Sequence, residues 1–143
     1  MSRYLKYSGF TMIELLVAIS IIGIVLALSF FGIQNSRAVS RDARRKSDLE
    51  SIRSSLELYY ADCKEYPTSV ASGDPITGDA TCGSNEYMDT VPDDPITDNV
   101  YYYKRIDTNN YVLCSTLEAD TGTPDGECGS CGTSACQYSV NNP

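Results

Sequence analysis

The sequence predicts an α+β chain, a long N-terminal helix packed on a small antiparallel β-sheet head. Three observations predict it. From Leu15 to Ser36, 22 residues pass without a charge. From Gln34 a polar stretch runs to Pro67 with no proline or glycine inside it. Two segments rich in Tyr, Val and Ile, residues 100–106 and 111–117, then flank Asp107-Thr108-Asn109-Asn110, which has turn chemistry.

The elements follow in chain order. Residues 1–9 (MSRYLKYSG) are short and polar, with Arg3 and Lys6 as positive charges. Residues 10–33 (FTMIELLVAISIIGIVLALSFFGI) hold 18 apolar side chains among 24, and Glu14 is the sole charge. The 22-residue uncharged run is roughly 33 Å long as a helix, enough to cross a bilayer core. Residues 34–63 form the amphipathic half of the same helix. Val39, Ala43, Leu49, Ile52, Leu56, Tyr59 and Tyr60 recur mostly at steps of three or four. Arg41, Arg44, Arg45, Asp48, Glu50, Arg53 and Glu57 fall largely between them. One helix from about Phe10 to about Asp62, roughly 80 Å long, is more than a soluble domain of this size can bury. Its N-terminal half therefore belongs in lipid or against other copies. Residues 64–143 form the head. Gly, Pro, Asp, Ser and Thr dominate residues 67–99, which predicts a long loop. The hairpin follows, then a Gly- and Asp-rich loop over 118–133 and a short third strand over Cys136–Val140.

Composition excludes much chemistry. The 143 residues contain no histidine, which removes Ser-His-Asp triads, Cys-His nucleophile pairs and His-ligated zinc. The formal charge of −8 divides unevenly: residues 1–64 carry nine basic and six acidic side chains, residues 65–143 two and thirteen. The acidic head is not expected to bind nucleic acid, because it has no counterion release to gain. A band of Arg37, Arg41, Arg44, Arg45 and Lys46 is expected to offset the crowded negative charge of neighbouring heads.

Glu14 is the anomaly, since a carboxylate in an apolar helix is expensive and needs a partner or a role. A secretory signal peptide explains the basic start and the small residues near Ala27–Ser29, but not the length of the run or the helical pattern beyond it. A plain single-span anchor explains the length but not the Glu. Gly9-Phe10-Thr11-Met12-Ile13-Glu14-Leu15-Leu16-Val17 resembles the N-terminus of type IV pilins and type II secretion pseudopilins, closely over residues 3–35 and loosely beyond. The resemblance implies a pilin-like fold in which 1–9 is a leader, cut by a prepilin peptidase between Gly9 and Phe10. It implies that Phe10 becomes the N-methylated first residue. Glu14 would pair with the Phe10 amine of a neighbouring subunit as the filament grows. Many type IV pilins carry a proline near the place of Phe31; here any local unwinding would fall at Gly23 or Gly32.

Six cysteines allow fifteen pairings. Cys63 at the helix end and Cys82 in the loop would staple loop to stalk, leaving Cys114 to take one of Cys128, Cys131 or Cys136. The rival reading is a thiolate metal site from Cys128, Cys131 and Cys136 with Cys114. An exported location favours disulfides. Pro92-Asp93-Asp94-Pro95 followed by Tyr101–Tyr103 resembles the loop-to-strand passage of pseudopilins and several pilin groups. Tyr101–Tyr103 alternates faces, which places one face in the core against the stalk and leaves a surface-binding role open for Tyr102. Major pseudopilins often bind calcium in the loop after the hairpin, and the candidate oxygens here are Glu118, Asp120, Asp125 and Glu127. Their spacing departs from the family pattern, so a solvated acidic loop is the other account; no further cofactor is expected.

The expected function is therefore structural, not enzymatic. The chain is a pilin that polymerises with its own copies into a type IV pilus-like filament, serving adhesion, motility or DNA uptake. The alternative is the major pseudopilin of a type II secretion system; a membrane-anchored binding domain is a further one. The resemblance implies a prepilin peptidase, an assembly ATPase and a membrane platform as partners. It also implies a single-pass position in the cytoplasmic membrane, with lipid contact, before assembly and an extracellular or periplasmic filament after it.

Overall fold

A computed structural model describes residues 9–79, 82–119, 122 and 127–142, leaving aside the side chains of 30–34. Helix α1 spans Met12–Cys63. It runs through Gly23 and Gly32 without a break, so neither glycine unwinds it. The chain divides into two compact units, residues 1–37 and 38–143.

In the first unit, the window Met12–Ser29 is long and apolar enough to cross a membrane, and none of it is buried. Ile13, Leu16, Ile19, Ile22, Leu26 and their neighbours all lie open. Ser20 and Ser29 return their hydroxyls to the carbonyls of Leu16 and Val25, so both side-chain donors of that window are satisfied within the helix.

In the second unit, the last part of α1 packs on short antiparallel strands. Lys64, at φ 59°, stops the helix in the left-handed region, and its N–H returns to the Tyr60 carbonyl at 2.9 Å. The expected long loop contains a small hairpin, β1 (Ile76–Thr77) with β2 (Glu86–Met88). The central sheet joins β3 (Tyr102–Arg105), β4 (Tyr111–Ser115) and β7 (Tyr138–Asn141) in the order β3-β4-β7. Between β3 and β4, Asp107 Oδ1 accepts the Asn109 N–H at 2.7 Å, the Asx turn that the sequence calls for. All three strands lie within a residue or two of their expected places. A further hairpin, β5 (Ser130–Cys131) with β6 (Ser134–Ala135), occupies what reads in sequence as loop. Strands of two or three residues are too short for a period-2 pattern to reveal.

β4 is buried along its whole length, and its two faces enter different cores. Tyr111 and Leu113 join Leu49, Ile52, Leu56 and Tyr59 of α1, together with Tyr66, Ile76, Val91, Tyr101 and Val140. Val112 and Cys114 face Cys131 and Cys136 on the far side. Tyr101 and Tyr103 belong to the helix-side core, whereas Tyr102 packs with the cysteine cluster.

The buried stripe of α1 differs from the expected one. It runs Asp42, Arg45, Leu49, Ile52, Leu56, Tyr59, at steps of three and four. Val39 and Ala43 lie on the open side. Two charged residues thus take the first two places in the core stripe, which requires compensation close by.

Candidate functional site

Two regions carry the chemistry. The first is the start of α1. Thr11 stands immediately before the helix, and Glu14 is its third residue, the Thr-x-x-Glu spacing of a capping box. The Thr11 N–H donates to Glu14 Oε2 at 2.9 Å and the Thr11 hydroxyl to the same oxygen at 2.8 Å. In return the Glu14 N–H reaches Thr11 Oγ1 at 3.3 Å. The carboxylate is held near the chain start, fully on the surface of the unit. Phe10 just before it is 90% exposed, and Gly9 lies in open space. Ile13, Val17, Ala18 and Ile21 line a shallow apolar recess beside Glu14. A single charge therefore sits at the edge of an otherwise apolar, unburied helix.

The second region lies where α1 meets the head, around Arg45, whose side chain is 0% exposed. Its Nε and Nη2 grip the two oxygens of Asp94 at 2.7 and 2.9 Å. Its Nη1 reaches Asp42 Oδ1 at 2.8 Å and Glu118 Oε1 at 2.7 Å. Arg41 adds a two-nitrogen grip on Glu118. Asp42 also accepts the backbone N–H of Glu118 and of Ala119, at 3.0 and 2.8 Å. Arg41, with Arg45 behind it, holds the Glu118 carboxyl down at about 2. The Asp94 bonds head the causes that raise Arg45 further above its ordinary value. The sequence reading missed this cluster. The signal was present, since carrying the Leu49–Ile52–Leu56 spacing back toward the N-terminus lands on Arg45 and Asp42.

Tyrosine hydroxyls serve three further carboxylates on α1. Tyr101 donates to Asp48 at 2.7 Å, Tyr66 to Glu57 at 3.0 Å and Tyr87 to Asp62 at 2.8 Å. Arg44 lies 3.7 Å from Asp48, and Lys46 stands 5.2 Å over the Tyr138 ring. Most of the basic band is thus spent inside its own head: Arg41 and Arg45 wholly, Arg44 and Lys46 in part. Arg37, the remaining member of the band, is exposed.

The six cysteines pair as Cys63–Cys82, Cys114–Cys128 and Cys131–Cys136. Cys63–Cys82 ties the loop to the end of α1. The other two hold the β5–β6 hairpin over the outer face of β4. No cysteine is left free for a thiolate metal site. Of the calcium candidates, Glu118 is committed to two guanidinium groups, and Glu127 lies exposed. Asp120 and Asp125 lie outside the described residues. Among the described residues no set of three His, Cys, Asp or Glu side chains is gathered to hold a metal.

Comparison with known proteins matches both regions. The family model described as the prokaryotic N-terminal methylation motif matches residues 5–30. The model of type II secretion system (T2SS), protein G, matches residues 33–133. The chain belongs to the type II secretion protein G family. Two curated relatives carry the name type II secretion system core protein G. That of Aeromonas hydrophila is 26% identical over 97 residues, covering 63% of this chain and 68% of its own. That of Escherichia coli (strain K12) is 24% identical over 131 residues, covering 87% and 86%. No solved structure matches the chain to the same standard. This pseudopilin family makes the chain a pilin-like filament subunit with an N-terminal methylation motif. Of the two filament readings of the sequence, the family's name is that of the alternative, the secretion pseudopilin. Neither relative is named as an enzyme. The apolar helix fits a subunit anchored in the membrane before it assembles.

Proposed function

We propose that this chain is a pseudopilin of a type II secretion system, stored in the cytoplasmic membrane and drawn from there into a periplasmic filament of its own copies. A prepilin peptidase cuts between Gly9 and Phe10, and the new Phe10 amine is methylated. An assembly ATPase and a membrane platform supply the work, since the chain has no nucleotide-binding motif of its own. Residues 10–33 pack against the same residues of other copies. The helix exchanges lipid for protein of similar apolarity, so the transfer does not expose apolar surface to water.

The observation that carries this reading is Glu14. Both Thr11 donors end on Oε2, and among the described residues nothing donates to Oε1. The second oxygen is available to the Phe10 amine of an adjacent subunit. Each charge alone in lipid lacks compensation, while the pair neutralises itself, so pairing selects the axial register of packing more than it adds stability.

Mass spectrometry of the mature protein tests the processing. The expected product lacks residues 1–9 and bears one methyl group on Phe10. An intact N-terminus in cells with a working peptidase would instead favour an anchored binding domain. For assembly, Glu14→Ala is expected to be cleaved and membrane-bound but scarce in sheared filaments. Wild-type filament yield from that variant would remove the pairing role.

A further inference from the structure

The loop that leaves β4 is tied both to α1 and to the segment just before β7. Three consecutive backbone N–H groups are each capped by a side chain: Leu117 by Gln137 Oε1 at 2.9 Å, and Glu118 and Ala119 by Asp42. Asp94 Oδ1 meanwhile accepts the Ile96 N–H at 2.8 Å and fixes the Pro-Asp-Asp-Pro turn. Asp42, Asp94 and Glu118 come from three separate segments, α1 and two loops of the head, and all three converge on the guanidinium of Arg45.

We propose that Arg45, assisted by Arg41, is the resident cation of this head, anchoring the loop after β4 to the stalk in place of a divalent metal.

Three points argue for it. First, charge: two guanidinium groups face three carboxylates, close to the balance that one divalent cation would give the same oxygens. Second, geometry: a calcium ion needs six to eight oxygens at about 2.3–2.6 Å. Here the oxygens of Asp94, Asp42 and Glu118 that face inward are already taken by Nε, Nη1 and Nη2. Four of the five N–H groups of Arg45 are used in a planar fork that a lysine ammonium cannot reproduce. Third, burial: Arg45 is wholly enclosed, and Asp94 nearly so, which makes each charge dependent on the others. The calcium that the acidic loop invites from its sequence therefore does not fit at Glu118. The inference is independent of whether the chain polymerises.

The test is the thermal melt of the full chain in detergent micelles, followed by tyrosine near-ultraviolet circular dichroism, in millimolar calcium chloride and in excess EDTA. The wild type is expected to melt identically in both. Glu118→Gln is expected to melt lower than wild type and, again, identically in both. Arg45→Ala leaves three carboxylates around an empty place. It is expected to melt roughly 10–20 °C below wild type in EDTA and to regain part of that loss in calcium chloride, a rescue that lost packing alone would not give. If Arg45→Ala is unfolded in EDTA, recovery of the tyrosine signal on adding calcium is the same result. A wild type or Glu118→Gln protein that melts higher with calcium overturns the proposal. So does an Arg45→Ala protein with wild-type melting, or one that calcium leaves unchanged.

Discussion

Leu56 and Leu58 lie two residues apart on α1 and face opposite ways. Leu56 is fully enclosed by Ile52, Tyr59 and the strands, while Leu58 is 59% exposed. Truncating each to alanine removes the same three carbons. At Leu56 the transfer loss is about 0.8 kcal/mol per carbon, or roughly 2.4 kcal/mol, and the cavity left behind brings the total to about 2–5 kcal/mol. At Leu58 no cavity forms, and the cost should stay within about 0.5 kcal/mol. For a head of this size one kcal/mol corresponds to about 4 °C in melting temperature, so Leu56→Ala should melt roughly 10–20 °C low. Urea unfolding of the detergent-solubilised chain, followed by tyrosine circular dichroism, measures both, with an unchanged slope marking a pure stability change. Equal costs at the two positions would refute the packing of α1 on the sheet. So would a loss below about 1 kcal/mol at Leu56. In the filament the expectation inverts, because Leu58 and Val39 lie on the face of α1 that the head leaves open. Leu58→Ala should spare the melt and reduce filament yield.

Acid should loosen the loop after β4. Arg41 and then Arg45 hold the Glu118 carboxyl at about 2, below its ordinary 4.5, so its stabilisation is complete above about pH 4.5 and lost as pH falls toward 2. Unfolding midpoints of wild type and Glu118→Gln, measured across that range, should converge at the acid end; a constant gap would refute the pairing. Alkali should act through the tyrosines. Burial, and for Tyr66 and Tyr101 the bonds to Glu57 and Asp48, push the phenols of Tyr66, Tyr101, Tyr103 and Tyr111 above their ordinary 10. Their stabilisation is full below pH 10 and falls as pH rises beyond it, so the share of tyrosinate absorbance that these four supply should rise together with loss of helix rather than before it. Gly132→Ala should be costly, because Gly132 has φ +88° and an added Cβ would lie 2.2 Å from the Asp98 carbonyl oxygen. The loss should show in the melt, and a neutral effect would put the approach of the β5–β6 hairpin to residues 98–99 in error.

The legible parts of the sequence share a physical character: their signals are local and repeated. The apolar run over 10–33, the three-four spacing of Leu49, Ile52 and Leu56, and the Asp107–Asn110 turn each declare themselves within a few residues. So does the Gly9–Val17 segment that points to the filament family. The parts that escaped join distant segments. Nothing near Asp94 announces a partner 49 residues earlier on α1. Nothing near Glu57 announces that it takes the hydroxyls of Tyr66 and Tyr111. Arg45 was hidden by its own chemistry. An arginine beside Arg44 and Lys46 reads as solvated surface, and only its phase on the stripe betrays a core position. The two small hairpins were missed because a pair of two- or three-residue strands is fixed by packing and by the disulfides, not by β-propensity.

These long-range pairings also explain how a chain of net charge −8 folds around an acidic inner face. Six carboxylates lie at or near the seam between α1 and the head: Asp42, Asp48, Glu57, Asp62, Asp94 and Glu118. Repulsion among them would oppose docking unless each met a donor. Two kinds of donor meet them: arginines of α1 itself and tyrosines of the head. Arginine neutralises the three at the N-terminal end of the seam, where Asp94 and Asp42 are the most deeply buried. Tyrosine hydroxyls serve Asp48, Glu57 and Asp62 further along, with Arg44 also near Asp48. Tyr66, Tyr87 and Tyr101 suit this division, since a phenol packs with its ring and serves a carboxylate with its tip. The acidic side chains left over lie mainly in the exposed loops of the head, so the negative charge that a filament of these subunits displays is largely charge that the seam does not use.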